Sequence, residues 1–123
     1  MSDSKNNGCY DPINWLPEKA VARLGGDKAF MQKLAVLFLQ DSPALMEEIK
    51  LGIKEQAYDV AFVPLHSLKG TSSNFCSAKL EDACDRMQLQ LKSGDWQQAE
   101  MEYEQLAEFY WKLDKDLESF VEE

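Results

Sequence analysis

From residue 96 onward the chain carries an apolar stripe that leaves little choice of fold. Trp96, Ala99, Tyr103, Leu106, Tyr110, Leu113, Leu117 and Phe120 follow one another in steps of three and four, the spacing that puts side chains on one face of a helix and builds a bundle seam. Aromatic residues in such a stripe can also mark a cofactor or partner groove, but at helical spacing they read first as core. Nowhere does the chain show sustained period-two alternation bounded by turn residues, so no strand is expected.

The preceding segments fit the same plan. A short helix is expected over residues 14–24, stopped by Gly25-Gly26. Asp27 then caps a long amphipathic run carrying Phe30, Leu34, Leu37, Phe38, Leu45, Ile49 and Ile53, which Pro43 should bend or divide. A third helix over residues 58–74 would bury Phe62, Leu65, Leu68, Ser72 and Phe75. Ser77 can cap a fourth that turns Leu80, Ala83, Cys84, Met87 and Leu91 inward until Gly94, and Asp95 caps the last. Short turns between long helices specify antiparallel neighbours. The expected fold is all-α, an up-down-up-down four-helix bundle with a short additional N-terminal helix. Residues 1–11 are polar and aperiodic and read as a flexible tail, leaving residues 12–123 as a single domain.

Composition narrows the function. Thirteen basic against twenty-two acidic residues give a net charge of −9, which opposes nucleic acid and anionic membrane surfaces as partners. No apolar stretch is long enough to span a bilayer and the N-terminus is no signal peptide, so a cytoplasmic protein is expected. Cys9, Cys76 and Cys84 form no Cys-x-x-Cys pair and are expected to be free thiols. A single histidine excludes the usual multi-histidine zinc clusters, and no metal site is expected. No glycine-rich loop offers a nucleotide cradle, and hence no kinase activity of the chain's own. Catalytic cysteine chemistry with the histidine as base has little to recommend it, because helical cysteines are mostly inert packing residues.

That histidine stands in His66-Ser67-Leu68-Lys69-Gly70. Positions i, i+3 and i+4 of a helix share a face, so His66 would lie beside the Lys69 ammonium and beside a place, Gly70, where no side chain blocks an approaching partner. Neutral imidazole, with an unperturbed pKa of about 6.5, is nucleophilic and largely unprotonated near neutral pH. It can attack phosphorus directly, and Lys69 can neutralise phosphoryl oxygens as a point charge. A lone helical histidine is by default a surface or satisfied core residue; its neighbours argue for a phosphoryl acceptor.

His66 to Leu80, HSLKGTSSNFCSAKL, resembles the signature of histidine-containing phosphotransfer domains. Leu24-Gly25-Gly26-Asp27 and Leu37-Phe38-Leu39-Gln40-Asp41-Ser42-Pro43 are similar to that family's Gly-Asp start and second-helix segment, so the likeness runs over residues 24–122. It implies a monomeric helical bundle that relays phosphate between aspartates of receiver domains in response regulators and hybrid sensor kinases, with Mg²⁺ held by the receiver. By the same resemblance His66 is the phosphorylated residue, Lys69 the neighbouring cation, Gly70 the small residue that admits the receiver, and Gln88 a polar group that hydrogen-bonds the imidazole. Lys79 and Lys92 are further cations near the motif, though helical lysines usually just solvate a face.

Two departures flank the motif. Cys76 stands where relatives usually have glycine, so a positive φ there would strain the backbone. Pro64 either kinks the motif helix or starts it, and in the second case His66 would lie near a phosphate-attracting N-terminus; the resemblance favours a longer helix with His66 near its middle. The alternative function is a non-catalytic helical adaptor that binds a signalling protein, against which the intact His66, Lys69 and Gly70 argue.

Overall fold

The computed structural model describes Trp15 and residues 17–123. The tail at residues 1–11 and the first residues of the short N-terminal helix therefore lie outside the described residues. Five α-helices follow: α1 Pro17–Arg23, α2 Lys28–Lys54, α3 Tyr58–Ser72, α4 Ala78–Ser93 and α5 Trp96–Val121, with a 3-10 turn at Ser73–Phe75 after α3. No strand occurs among the described residues. The four long helices pack in a ring, α2 on α3, α3 on α4, α4 on α5 and α5 back on α2, which is the antiparallel four-helix bundle. Here α1 packs against α2 and the 3-10 turn, while Trp15 meets Phe75 and Phe120 edge-on at that end of the bundle.

Local chemistry sets the helix ends. The backbone N–H of Phe30 donates to Asp27 Oδ1 at 2.9 Å and that of Gln98 to Asp95 Oδ1 at 3.2 Å, satisfying donors that a helix start leaves unpaired. Gly94 ends α4 in the left-handed region at φ 75°, the conformation glycine adopts without penalty. Ser77 occupies the N-cap position of α4, but its side chain makes no capping hydrogen bond. Cys76 does have positive φ, at 55°, and is fully buried, so the chain keeps the turn that glycine would favour and bears the strain. Cys76 is also disulfide-bonded, against the expectation of a free thiol; Cys84 keeps its thiol and is buried, and Cys9 lies outside the described residues.

Neither proline interrupts its helix. α2 runs unbroken through Pro43 and α3 through Pro64, each at the loss of one backbone hydrogen bond. Because α3 begins at Tyr58, His66 lies midway along it and the helix N-terminus is too far away to assist.

The stripe of α5 and that of α4 are buried as expected, apart from half-buried Trp96 and Tyr103. That of α2 is buried only in part: Phe38, Ile49 and Ile53 line the core as expected, Leu34 and Leu45 are half-buried against it, Phe30 and Leu37 are 46% and 53% exposed, and Met31, Ala35, Ser42 and Met46 complete the core face. Ser42 can occupy the interior because its hydroxyl pairs with that of Tyr110 at 2.8 Å, which removes the cost of burying an unpaired hydroxyl. Gln32 Nε2 donates to the Phe120 carbonyl at 3.0 Å and the Tyr103 hydroxyl to the Met46 carbonyl at 3.1 Å, tying α2 to α5 at two levels. On the other side α2 meets α3 at Gly52. A Cβ built there would lie 2.6 Å from the Ala61 Cα, so glycine is what lets the two backbones approach.

Candidate functional site

α3 divides cleanly into two faces. Ala61, Leu65, Leu68 and Ser72 are completely buried, and His66 and Gly70 are exposed on the opposite side with Lys69 half-buried between. His66 is not a lone ring there. Its imidazole stacks on Phe62 with centroids 5.7 Å apart and planes 19° from parallel, and Phe62 stacks in turn on Tyr58 at 5.4 Å and 16°. Residues four apart lie one above the other on a helix, so Tyr58, Phe62 and His66 form a ladder along the surface of α3. Phe62, expected in the core, belongs half-buried at the stripe's edge, where it covers one face of the imidazole. Such a contact, about 0.5–1.5 kcal/mol for an aromatic pair, limits ring rotation while leaving the nitrogen-bearing edge uncovered. No described residue hydrogen-bonds either ring nitrogen of His66.

One turn further on, the Lys69 Nζ is ion-paired with Asp85 Oδ1 of α4. The side chains are 35% and 41% exposed, so solvent screens the pair and it contributes less than about 1 kcal/mol to stability. Its geometric value is greater, because it marks the register between the two antiparallel helices. Both rise about 1.5 Å per residue; stepping back along α3 and forward along α4 by equal amounts puts Gln88 level with His66, and Lys92 level with Phe62. Gln88 is half-buried on α4, and no hydrogen bond joins it to His66. Lys79, by contrast, is engaged elsewhere, its ammonium 5.6 Å from the ring centre of Phe109 on α5.

Gly70 has no structural reason to be glycine. It is helical, and a Cβ built on it meets nothing within 4 Å. Val63, one turn before His66 on the same face, is 62% exposed. His66 is thus flanked by an apolar side chain, a cation and an empty patch of backbone. Sequence reading missed the ladder, Val63 and Asp85, although Tyr58, Phe62 and His66 carry the four-residue spacing that shows the first. Among the described residues no group of three His, Cys, Asp or Glu side chains is placed to hold a metal ion, and no helix is long and apolar enough to cross a membrane.

The family model of the Hpt domain matches residues 33–122. The chain belongs to the Hpt domain family. Members carry a phosphoryl group on histidine in phosphorelays and interact with receiver domains of two-component systems. No curated protein and no solved structure matched this Hpt domain.

Proposed function

We infer that this Hpt domain takes a phosphoryl group on His66 from the aspartate of one receiver domain and gives it to the aspartate of another. One observation carries the reading: in a chain of this family the sole histidine sits mid-helix on the exposed face of α3, with an ammonium one turn away and open space at Gly70.

In the forward step the lone pair of the unprotonated ring nitrogen attacks phosphorus of the receiver's aspartyl phosphate. An N–P bond forms, the P–O bond to aspartate breaks, and its electron pair returns to the carboxylate. The other ring nitrogen keeps its hydrogen. Onward transfer reverses each bond change at a second aspartate, so the chain needs no nucleotide and no turnover of its own. Phe62 holds the ring plane. Lys69 neutralises phosphoryl oxygens as charge moves onto them, and Gln88, level with His66, can hold the distal ring nitrogen once the side chains adjust on docking, fixing which nitrogen attacks. Gly70 and Val63 receive the receiver. Mg²⁺ belongs to the receiver partner, where it offsets charge on the aspartyl phosphate. The protein acts as a cytoplasmic monomer, without nucleic acid or membrane.

Incubation with a phosphorylated receiver domain tests this. The expected product is acid-labile, alkali-stable phosphate on the chain, abolished by His66→Gln with circular dichroism unchanged, because a solvent-facing ring contributes little to packing. A His66→Gln chain that still takes up phosphate, or a wild-type chain that takes up none, would refute it.

A further inference from the structure

We propose that Asp85 is a positioning residue that acts through Lys69. Its carboxylate holds the ammonium beside His66 in the resting chain, and competes with the phosphoryl oxygens for that ammonium once phosphate is on the ring. This rests on His66 being the acceptor.

Few cations among the described residues lie near the site. On α3 the only one near His66 is Lys69, and it is paired with Asp85. On α4 the charged neighbours of Asp85 do not replace it. Arg86 turns the other way, donating from Nε and Nη2 to Glu102 of α5 at 3.1–3.2 Å. Glu81, one turn before Asp85, is a buried acid, and Asp82 is an exposed one. Lys92 is level with Phe62 and not with Lys69. Among the described residues one ammonium, that of Lys69, therefore faces two anions in the phosphorylated state, the Asp85 carboxylate and the phosphoryl group.

An ammonium has three donors and can contact both, but sharing weakens its hold on either. Phosphohistidine is thereby left less stabilised than a fully devoted lysine would make it, and the equilibrium of transfer (N–P bond on His66 broken, P–O bond on the receiver aspartate made) is tilted toward the receiver. In the resting chain the same contact keeps a long, flexible side chain at the place where the phosphoryl oxygens will arrive, sparing part of the entropy of ordering it. Asp85 is thus both a holder of the cation and a limit on how tightly the cation retains phosphate.

The test is the equilibrium distribution of phosphate between the full chain and an isolated receiver domain loaded from acetyl phosphate in Mg²⁺, read on a phosphate-affinity gel. Asp85→Asn should move the distribution toward the chain about two- to five-fold, the range an exposed ion pair can supply. Asp85→Glu should restore the wild-type ratio, and thermal unfolding should be nearly unchanged in both. In a Lys69→Met background Asp85→Asn should have a much smaller effect, because the ammonium through which the two anions compete is gone. An Asp85→Asn ratio equal to wild type or shifted toward the receiver overturns the inference, as does a shift that persists in full without Lys69. A wild-type chain that takes no phosphate removes the His66 reading and this one with it; a wild-type chain that does, with Asp85→Asn matching it, removes only this one.

Discussion

Gly70 offers a case in which stability and function should move in opposite directions. In a helix interior glycine is about 0.5–1 kcal/mol less favourable than alanine, because it gives up more backbone freedom on folding. At Gly70 nothing offsets that cost, since φ is helical, the position is exposed, and an added Cβ meets nothing within 4 Å. Gly70→Ala should therefore raise the unfolding free energy, by about 0.5 kcal/mol given that α3 ends at Ser72 and the last turn frays. That corresponds to roughly 2 °C in thermal midpoint. Urea titration followed by circular dichroism would measure it, with the slope unchanged because the same surface is exposed on unfolding. A larger side chain finds the same open space in the free chain, yet under the proposed function it would stand where the receiver comes close. Forcing apart a packed contact costs about 1–3 kcal/mol, so Gly70→Leu should slow phosphoryl transfer at least five-fold, measured by rapid quench, while the chain stays as stable as wild type. Gly52 is the control of opposite sign. There an added Cβ would lie 2.6 Å and 2.7 Å from the Ala61 Cα and Cβ, so Gly52→Ala should lower stability by about 1–3 kcal/mol. If Gly70→Ala lowered stability, or Gly70→Leu transferred at the native rate, the reading of Gly70 as an opening kept for a partner would be wrong.

Two further perturbations separate the ring ladder from the core. Phe62→Ala removes the face on which His66 stacks; transfer should slow several-fold with a loss of stability smaller than the 3–5 kcal/mol of a core phenylalanine, and a native rate would show that packing does not orient the ring. Asp114 is buried on α5, and burial first, then the Glu118 carboxylate, raises its pKa above the ordinary 3.8. A raised value means the folded state binds the proton more tightly. Stability is therefore lost as pH rises from the ordinary value through the folded one, and Asp114→Asn should be more stable than wild type at neutral pH but not below pH 3.8; equal midpoints at neutral pH would rule this out.

Those features that depend on a few adjacent residues were legible in the sequence. Asp27 and Asp95 cap helices because a short carboxylate can reach a nearby amide, and Gly94 ends one because it alone enters the left-handed region freely. The seam of α5 was legible because its core side chains are large. On α2, Phe38, Ile49 and Ile53 were legible in the same way, but the rest of the core face is built from small or polar Ala35 and Ser42 and from the unbranched Met31 and Met46, which a search for bulky side chains passes over in favour of Phe30 and Leu37. What makes Ser42 a core residue is the Tyr110 hydroxyl, 68 positions away, and no local pattern contains it. Around the site, spacing alone placed His66, Lys69 and Gly70 on one side of α3. Spacing placed Phe62 in the stripe without distinguishing its centre from its edge, and Asp85 could not be assigned to Lys69 until the register of α3 against α4 was known.

That register is where fold and function join. The site residues are held by no described hydrogen bond to His66 and by one screened ion pair, so the position of the imidazole is set almost wholly by the rotation and height of α3. Each residue turns a helix by about 100°, and a slip of one position would carry His66 from the solvent side to the flank of the helix and bring Ser67 or Leu65 in its place. Two contacts oppose such a slip. On one side Gly52 admits Ala61 at backbone distance, a fit that tolerates neither rotation nor displacement because interiors are close-packed. On the other, the buried run of Leu65, Leu68 and Ser72 must meet the core formed by α4 and α5. The close approach at Gly52 therefore serves chemistry as well as stability. It presents His66 at a fixed place on an exposed face, where under the proposed function no described hydrogen bond to the ring would have to break when a receiver docks.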